Sequence, residues 1–183
     1  MYMLYAFIYK LKTNISSIDQ LRSKYDPYYN LIGPHITLIF PTPDSVSIKD
    51  LRDHVQQIVS KHTPFDIRLS GLDKSWDHWL NLLIKEGNQE LINLHDELYM
   101  GVMAPFLRND LPFVPHVGLG LFTQGSYSVF NPEPVELDDS QYRKALKEAE
   151  AINLDFRERI EGFELISLND EGTKIEGREE FGL

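Results

Sequence analysis

Gly33-Pro34-His35-Ile36-Thr37-Leu38-Ile39-Phe40 and Phe113-Val114-Pro115-His116-Val117-Gly118-Leu119-Gly120-Leu121-Phe122 are the two stretches whose reading decides the fold. Each enters a strand through Pro-His and then alternates. Period two puts Ile36, Leu38 and Phe40 on one face and His35, Thr37 and Ile39 on the other. In the second stretch Val117, Leu119 and Leu121 point one way, and His116, Gly118 and Gly120 the other. An imidazole and a hydroxyl side by side on a rigid strand suit a phosphate. The hydroxyl donates to a non-bridging oxygen while the imidazole moves a proton.

Working outward, the pattern predicts a strand over 1–9 and a helix over 16–26, with Ile18, Leu21 and Tyr25 at helical spacing. Pro41-Thr42-Pro43 is expected to stop the first histidine strand. A helix follows over 48–62, opened by Ser47 with Asp50 three residues on. Strands are expected over 65–69 and 79–84, and a helix over 88–100. A loop over 101–115 leads to the strand over 116–122. Asp138 caps a helix running to about 153. A hairpin over 163–168 and 173–176 closes the chain around Asn169-Asp170-Glu171-Gly172. The order strand, helix, proline-preceded histidine strand, helix occurs twice. The expectation is an α+β fold, one bilobal domain over 1–183 with a pseudo-two-fold axis. Two mostly antiparallel sheets line a central cleft, with helices outside. Both histidines are placed on central strands, their imidazoles on opposite sides of one solvent-open groove.

Composition narrows the function. The 183 residues carry a formal net charge of −10, which argues against wrapping a long duplex, since that needs a basic surface to displace counterions. A small nucleotide or the end of an RNA needs only a local patch. With no cysteine, thiolate metal sites, disulfides and thiol nucleophiles are excluded. The apolar start has no basic segment or small-residue cleavage site, and no apolar run reaches membrane-spanning length. A cytoplasmic monomer without membrane association is expected.

The two motifs resemble those of the two-histidine phosphoesterase superfamily, the 2'-5' RNA ligase-like proteins. Members carry two H-h-[ST]-h motifs, with h apolar, one per lobe. The resemblance spans nearly the whole chain in order and length, with its residue content in 33–40 and 113–122. It implies that His35 and His116 are the catalytic acid and base and that Thr37 binds phosphate. The second hydroxyl position holds Gly118, a departure from the pattern. Thr123 or Ser126 is a possible substitute, and Gly118 with Gly120 is expected to leave extra room. Tyr29 and Phe113, in the loops before the histidines, are candidates to stack on a base, as is Tyr28. Arg108 is a candidate phosphate partner.

The implied activity is metal-independent and needs no cofactor: hydrolysis of a 2',3'-cyclic nucleotide or RNA-end phosphate, or chemistry at a 2'-5' linkage. The alternative is a non-catalytic nucleotide or RNA-end binding module with a decayed second motif. A third reading, a structural domain with incidental histidines, requires the two rings to lie far apart. His54, His62, His78 and His95 have no metal-ligand spacing and are expected to be structural.

Overall fold

A computed structural model describes residues 3–109, 111–125 and 136–183. Ser126 lies outside the described residues. The described chain has eight strands and four α-helices: β1 (Met3–Lys10), α1 (Ile15–Tyr25), β2 (His35–Pro43), α2 (Ile48–Val59), β3 (Phe65–Lys74), β4 (Trp79–Glu86), α3 (Asn88–Leu98), β5 (His116–Leu121), α4 (Asp139–Glu150), β6 (Phe156–Ile160), β7 (Gly162–Asn169) and β8 (Ile175–Gly182). A 3-10 helix, Gly101–Phe106, stands where a plain loop was expected.

Two antiparallel four-stranded sheets form, in the orders β2-β1-β7-β8 and β5-β4-β3-β6. The histidine strands are therefore edge strands of their sheets, not central ones. They lie against each other where the two sheets meet. The edge position explains why β2 runs on through Pro41 and Pro43. A proline removes one N–H from the ladder, which an edge strand can lose on its unpaired side. On the paired side, Pro43 sits opposite Leu4 and Thr42 opposite Tyr5.

Local chemistry sets the helix starts. Ser47 accepts from the Asp50 N–H at 3.1 Å, and its hydroxyl donates back to the Asp50 carboxylate at 2.7 Å. Asp138 accepts from the Gln141 N–H at 3.0 Å. Before α3 stands Gly87, with φ 74°; a β-carbon there would lie 2.4 Å from the Asp66 carbonyl oxygen, so only glycine fits.

The helices cross-brace the sheets. α1, which follows β1, packs on β5 of the other sheet, and α3, which follows β4, packs on β2. One continuous core joins Phe7, Tyr9, Ile36 and Leu38 to Leu80, Leu82, Val117 and Leu119. A smaller cluster lies on the opposite face of the first sheet, where Ala6, Ile8, Ile166 and Leu168 meet Ile32 of the loop before β2. A buried carboxylate ties the two sheets together. Glu158 of β6 accepts from the Tyr9 hydroxyl at 2.9 Å and from the Lys12 N–H at 2.5 Å.

Candidate active site

His35 and His116 are held by the same device. Nδ1 of His35 lies 2.9 Å from the Gly33 carbonyl oxygen, and Nδ1 of His116 lies 2.6 Å from that of Val114. A carbonyl only accepts, so each Nδ1 carries a proton and each neutral ring presents Nε2 as a lone pair. In both cases the partner is the residue before the proline. The proline's own carbonyl is also pinned, by Leu11 N–H to Pro34 at 3.0 Å and by Ile84 N–H to Pro115 at 3.2 Å. Pro-His is thus a positioning element in which the fixed proline φ aims the preceding carbonyl at the ring.

The charge of His116 reaches the His35 ring. Burial is the largest influence on His35 and pushes its pKa down to about 4; charge on Arg22, His116 and Arg178 lowers it further, against the bond to Gly33. His116 is also lowered by burial, but its bond to Val114 and the Asp77 carboxylate pull the other way. Burial thus favours the neutral form of both rings.

Thr37 sits two residues along β2 from His35, on the same face and opposite Ile8. No hydrogen bond ties its hydroxyl to another described residue. On the second strand, Gly118 does not open a void. A β-carbon there would lie 3.0 Å from Cε3 of Trp79 and 3.1 Å from its Cζ3, so the indole covers the position. Tyr28 stacks on that indole with ring centroids 6.2 Å apart and planes 14° from parallel. Gly120 does not leave room either. A β-carbon there would lie 2.5 Å from Tyr25 Cβ, so its glycine serves the close approach of α1. Thr123 donates to the Gly125 carbonyl at 3.2 Å and lines a groove that neither imidazole lines.

The other candidates are used differently. Phe113 lays one face on His95, at 3.9 Å and 5°. Tyr29 is 37% exposed and has the Arg22 guanidinium 5.8 Å from its ring centroid. Arg108 lies within electrostatic reach of the Tyr99 hydroxyl, which accepts from the Phe40 N–H at 3.3 Å. His54 bonds the Leu98 carbonyl oxygen and His95 the Asp96 carboxylate. Among the described residues no group of three or more His, Asp or Glu is placed to hold a metal ion. No helix there is long and apolar enough to cross a membrane.

Sequence reasoning missed the cations near His35. Arg22 is buried in α1. It donates to the Ile32 carbonyl at 2.7 Å and pairs with the buried Asp26 at 2.8 Å, so it holds the loop that leads to the motif. Arg178 of β8 pairs with Glu164. Arg22 carried no sequence signal, because an arginine three residues from Asp19 and four from Asp26 reads as a solvated helix face.

A family model described as the 2'-5' RNA ligase superfamily matches residues 12–125. Two curated relatives are both named "Putative phosphoesterase". The one from Geobacillus kaustophilus (strain HTA426) is 25% identical over 157 residues, covering 85% of this chain and 82% of its own. The one from Bacillus cereus (strain B4264) is 28% identical over 156 residues, 84% and 81% of the two chains. Among solved structures, E. coli LigT complexed with NADP+ superposes with a TM-score of 0.63 at 17% identity, covering 99% of both chains. LigT complexed with 3'-AMP gives 0.59 at 18% identity over the full length of both.

Proposed function

The chain belongs to the 2'-5' RNA ligase superfamily, and from that premise we propose that it is a metal-independent phosphoesterase acting on a 2',3'-cyclic nucleotide, an RNA-end phosphate or a 2'-5' linkage. The observation that carries the proposal is the matched pair of imidazoles, each locked by the carbonyl two residues back and each presenting Nε2, with the charge of His116 reaching His35. His35, in its neutral form, takes a proton from water at Nε2 as the water oxygen bonds to phosphorus. His116, protonated, gives its Nε2 proton to the ribose oxygen as the P–O bond breaks. One water is consumed, and a phosphomonoester and a hydroxyl result. Thr37 donates to a non-bridging oxygen. The nucleotides named for the LigT complexes support a small nucleotide as ligand, with Tyr29, Phe113 and Arg108 at the loops that approach the cleft.

Turnover of 2',3'-cyclic AMP in excess EDTA, compared with His35→Ala and His116→Ala, tests this. The wild type should turn over at an undiminished rate in chelator. Each variant should lose at least the roughly 10²-fold that a positioned acid or base contributes. Since His35 is held at about 4 and His116 lies below 6.5, kcat/KM should peak between those limits. The rate rises as His35 loses its proton and falls as His116 loses its own. Chelator-sensitive turnover restored by divalent ions would sink the mechanism. The glycine at 118 favours a second reading, a binding module without turnover. It predicts that the wild type binds 3'-AMP and leaves the cyclic phosphate intact.

A further inference from the structure

We infer that Asn81 is a phosphate ligand of the cleft, supplying from β4 the side-chain donor that Gly118 cannot carry. Asn81 takes this part only if the cleft is a phosphoester site as proposed above. In the antiparallel pairing of β4 with β5, Leu83 is opposite His116, Leu82 opposite Val117 and Asn81 opposite Gly118. Directly opposed residues share a face. Leu82 and Val117 are both buried in the core, so Asn81 lies on the other face, the one that carries His116. It is the nearest cross-strand neighbour of the position where the family motif has its hydroxyl.

The side chain is unpartnered. Asn81 is only 5% exposed, its Oδ1 is buried with no hydrogen-bond partner, and its amide bonds to no described residue. A buried carboxamide left unmet is costly, and such groups call for a partner. Leu80, Leu82 and Ile84 fill the core-facing positions of β4, Lys85 and Glu86 are exposed, and the buried polar residue Asn81 needs a reason. The amide is also the right chemistry. Its two N–H donors suit a phosphate oxyanion, and its oxygen can accept from a protonated phosphate or a ribose hydroxyl. Which amide atom faces the ligand is free to exchange by a flip. Trp79, two residues away on the same face, spreads its indole over Gly118, so a side chain at 118 would crowd it, and the adjacent strand is the next element that can offer a donor.

The test uses the full chain with two substitutions and one measurement on the wild type. Asn81→Ala should lower kcat on 2',3'-cyclic AMP by roughly 10²-fold, the loss seen when one oxyanion donor is removed. It should leave the pH limbs set by the histidines in place. Asn81→Asp, nearly isosteric but anionic, should bind inorganic phosphate more weakly than Asn81→Ala. In the wild type, titration with inorganic phosphate should move the Asn81 side-chain amide resonances together with the His116 ring signals. That measurement needs no variant to fold. Folded variants within twofold of wild type in both kcat and phosphate affinity would overturn the assignment, as would amide resonances that stay fixed while His116 shifts. If His35→Ala abolishes turnover and Asn81→Ala does not, only the role of Asn81 falls. If the wild type neither turns over nor binds phosphate, the phosphoesterase reading falls with it.

Discussion

Replacing Arg22 by methionine isolates the charge beneath the first histidine. The Arg22 side chain is 1% exposed and that of Asp26 4%, so the substitution leaves a buried carboxylate without its cation. Breaking such a pair from one side costs about 3–5 kcal/mol. The backbone N–H of Tyr28, which donates to Asp26 at 2.7 Å, keeps part of the carboxylate's partnering, so the lower end of that range is expected. At about 2–4 °C per kcal/mol for a chain of this size, Tm should fall by roughly 6–12 °C. Methionine refills much of the volume, so little of the loss comes from a cavity. Urea unfolding at pH 7 measures the effect. The deficit should shrink on acidification. Burial already holds the Asp26 carboxyl above its ordinary value; without Arg22 it rises further and takes up a proton in the folded state. Converting the pair to Arg22→Met with Asp26→Leu should restore most of the stability, because a packed apolar pair avoids both desolvation penalties. The Arg22 charge also helps hold His35 neutral, so the His35 ring should titrate at a higher pH in the single variant. A cost under 1 kcal/mol, or a double variant no more stable than Arg22→Met alone, would refute this account of the loop.

Three further outcomes are expected. Gly118→Ser should destabilise slightly and leave kcat no better than wild type, because its β-carbon meets the Trp79 indole at 3.0 Å; combining it with Trp79→Leu should relieve the clash, which a comparison of Tm values for the single and double variants checks. His35 should make stability fall in acid: its folded-state pKa is depressed from 6.5 to about 4, so stability present above pH 6.5 is lost as the pH drops toward 4, by roughly 3 kcal/mol, and His35→Gln should flatten that part of the profile in denaturant titrations. Glu158→Ala should cost about 1–3 kcal/mol, since it strands the Lys12 N–H and leaves the buried Tyr9 hydroxyl only its 3.2 Å bond to the Arg159 carbonyl, whereas Glu158→Gln should cost about half as much by chemical denaturation.

The alternating Pro-His strands were legible because alternation and proline placement are local. The α+β class and the repeated strand-helix order followed from them. β6 was not legible. In Phe156-Arg157-Glu158-Arg159-Ile160 the inward middle position is a carboxylate, satisfied by groups some 146 residues away in sequence, and no local pattern marks it as buried. The last strand, expected to end at 176, runs on to Gly182, because the charged Glu-Gly-Arg-Glu-Glu lacks the apolar alternation that marks a strand. It is a strand at the sheet's open edge, where charge on the outer face guards against further pairing. The histidines were assigned to central strands because periodicity reports faces and is silent on strand order. Trp79 over Gly118 was missed for the same reason: a glycine in a sequence looks like space until the neighbouring strand is known.

The sheet order β2-β1-β7-β8 has a consequence for synthesis. β5, β4, β3 and β6 lie within one stretch of chain, whereas β1 pairs with β7 only after roughly 150 further residues have been made. At about 5–20 residues per second, the strand beside His35 waits on the order of 10–30 s for its second neighbour. Until then β1 and β2 are a two-stranded pair joined through α1, with Phe7, Ile8 and Tyr9 lacking the cover of β7, and an isolated strand pair is marginal in water. The half of the cleft made first is therefore completed last, and a nascent chain interrupted before β7 exposes an apolar strand suited to chaperone capture.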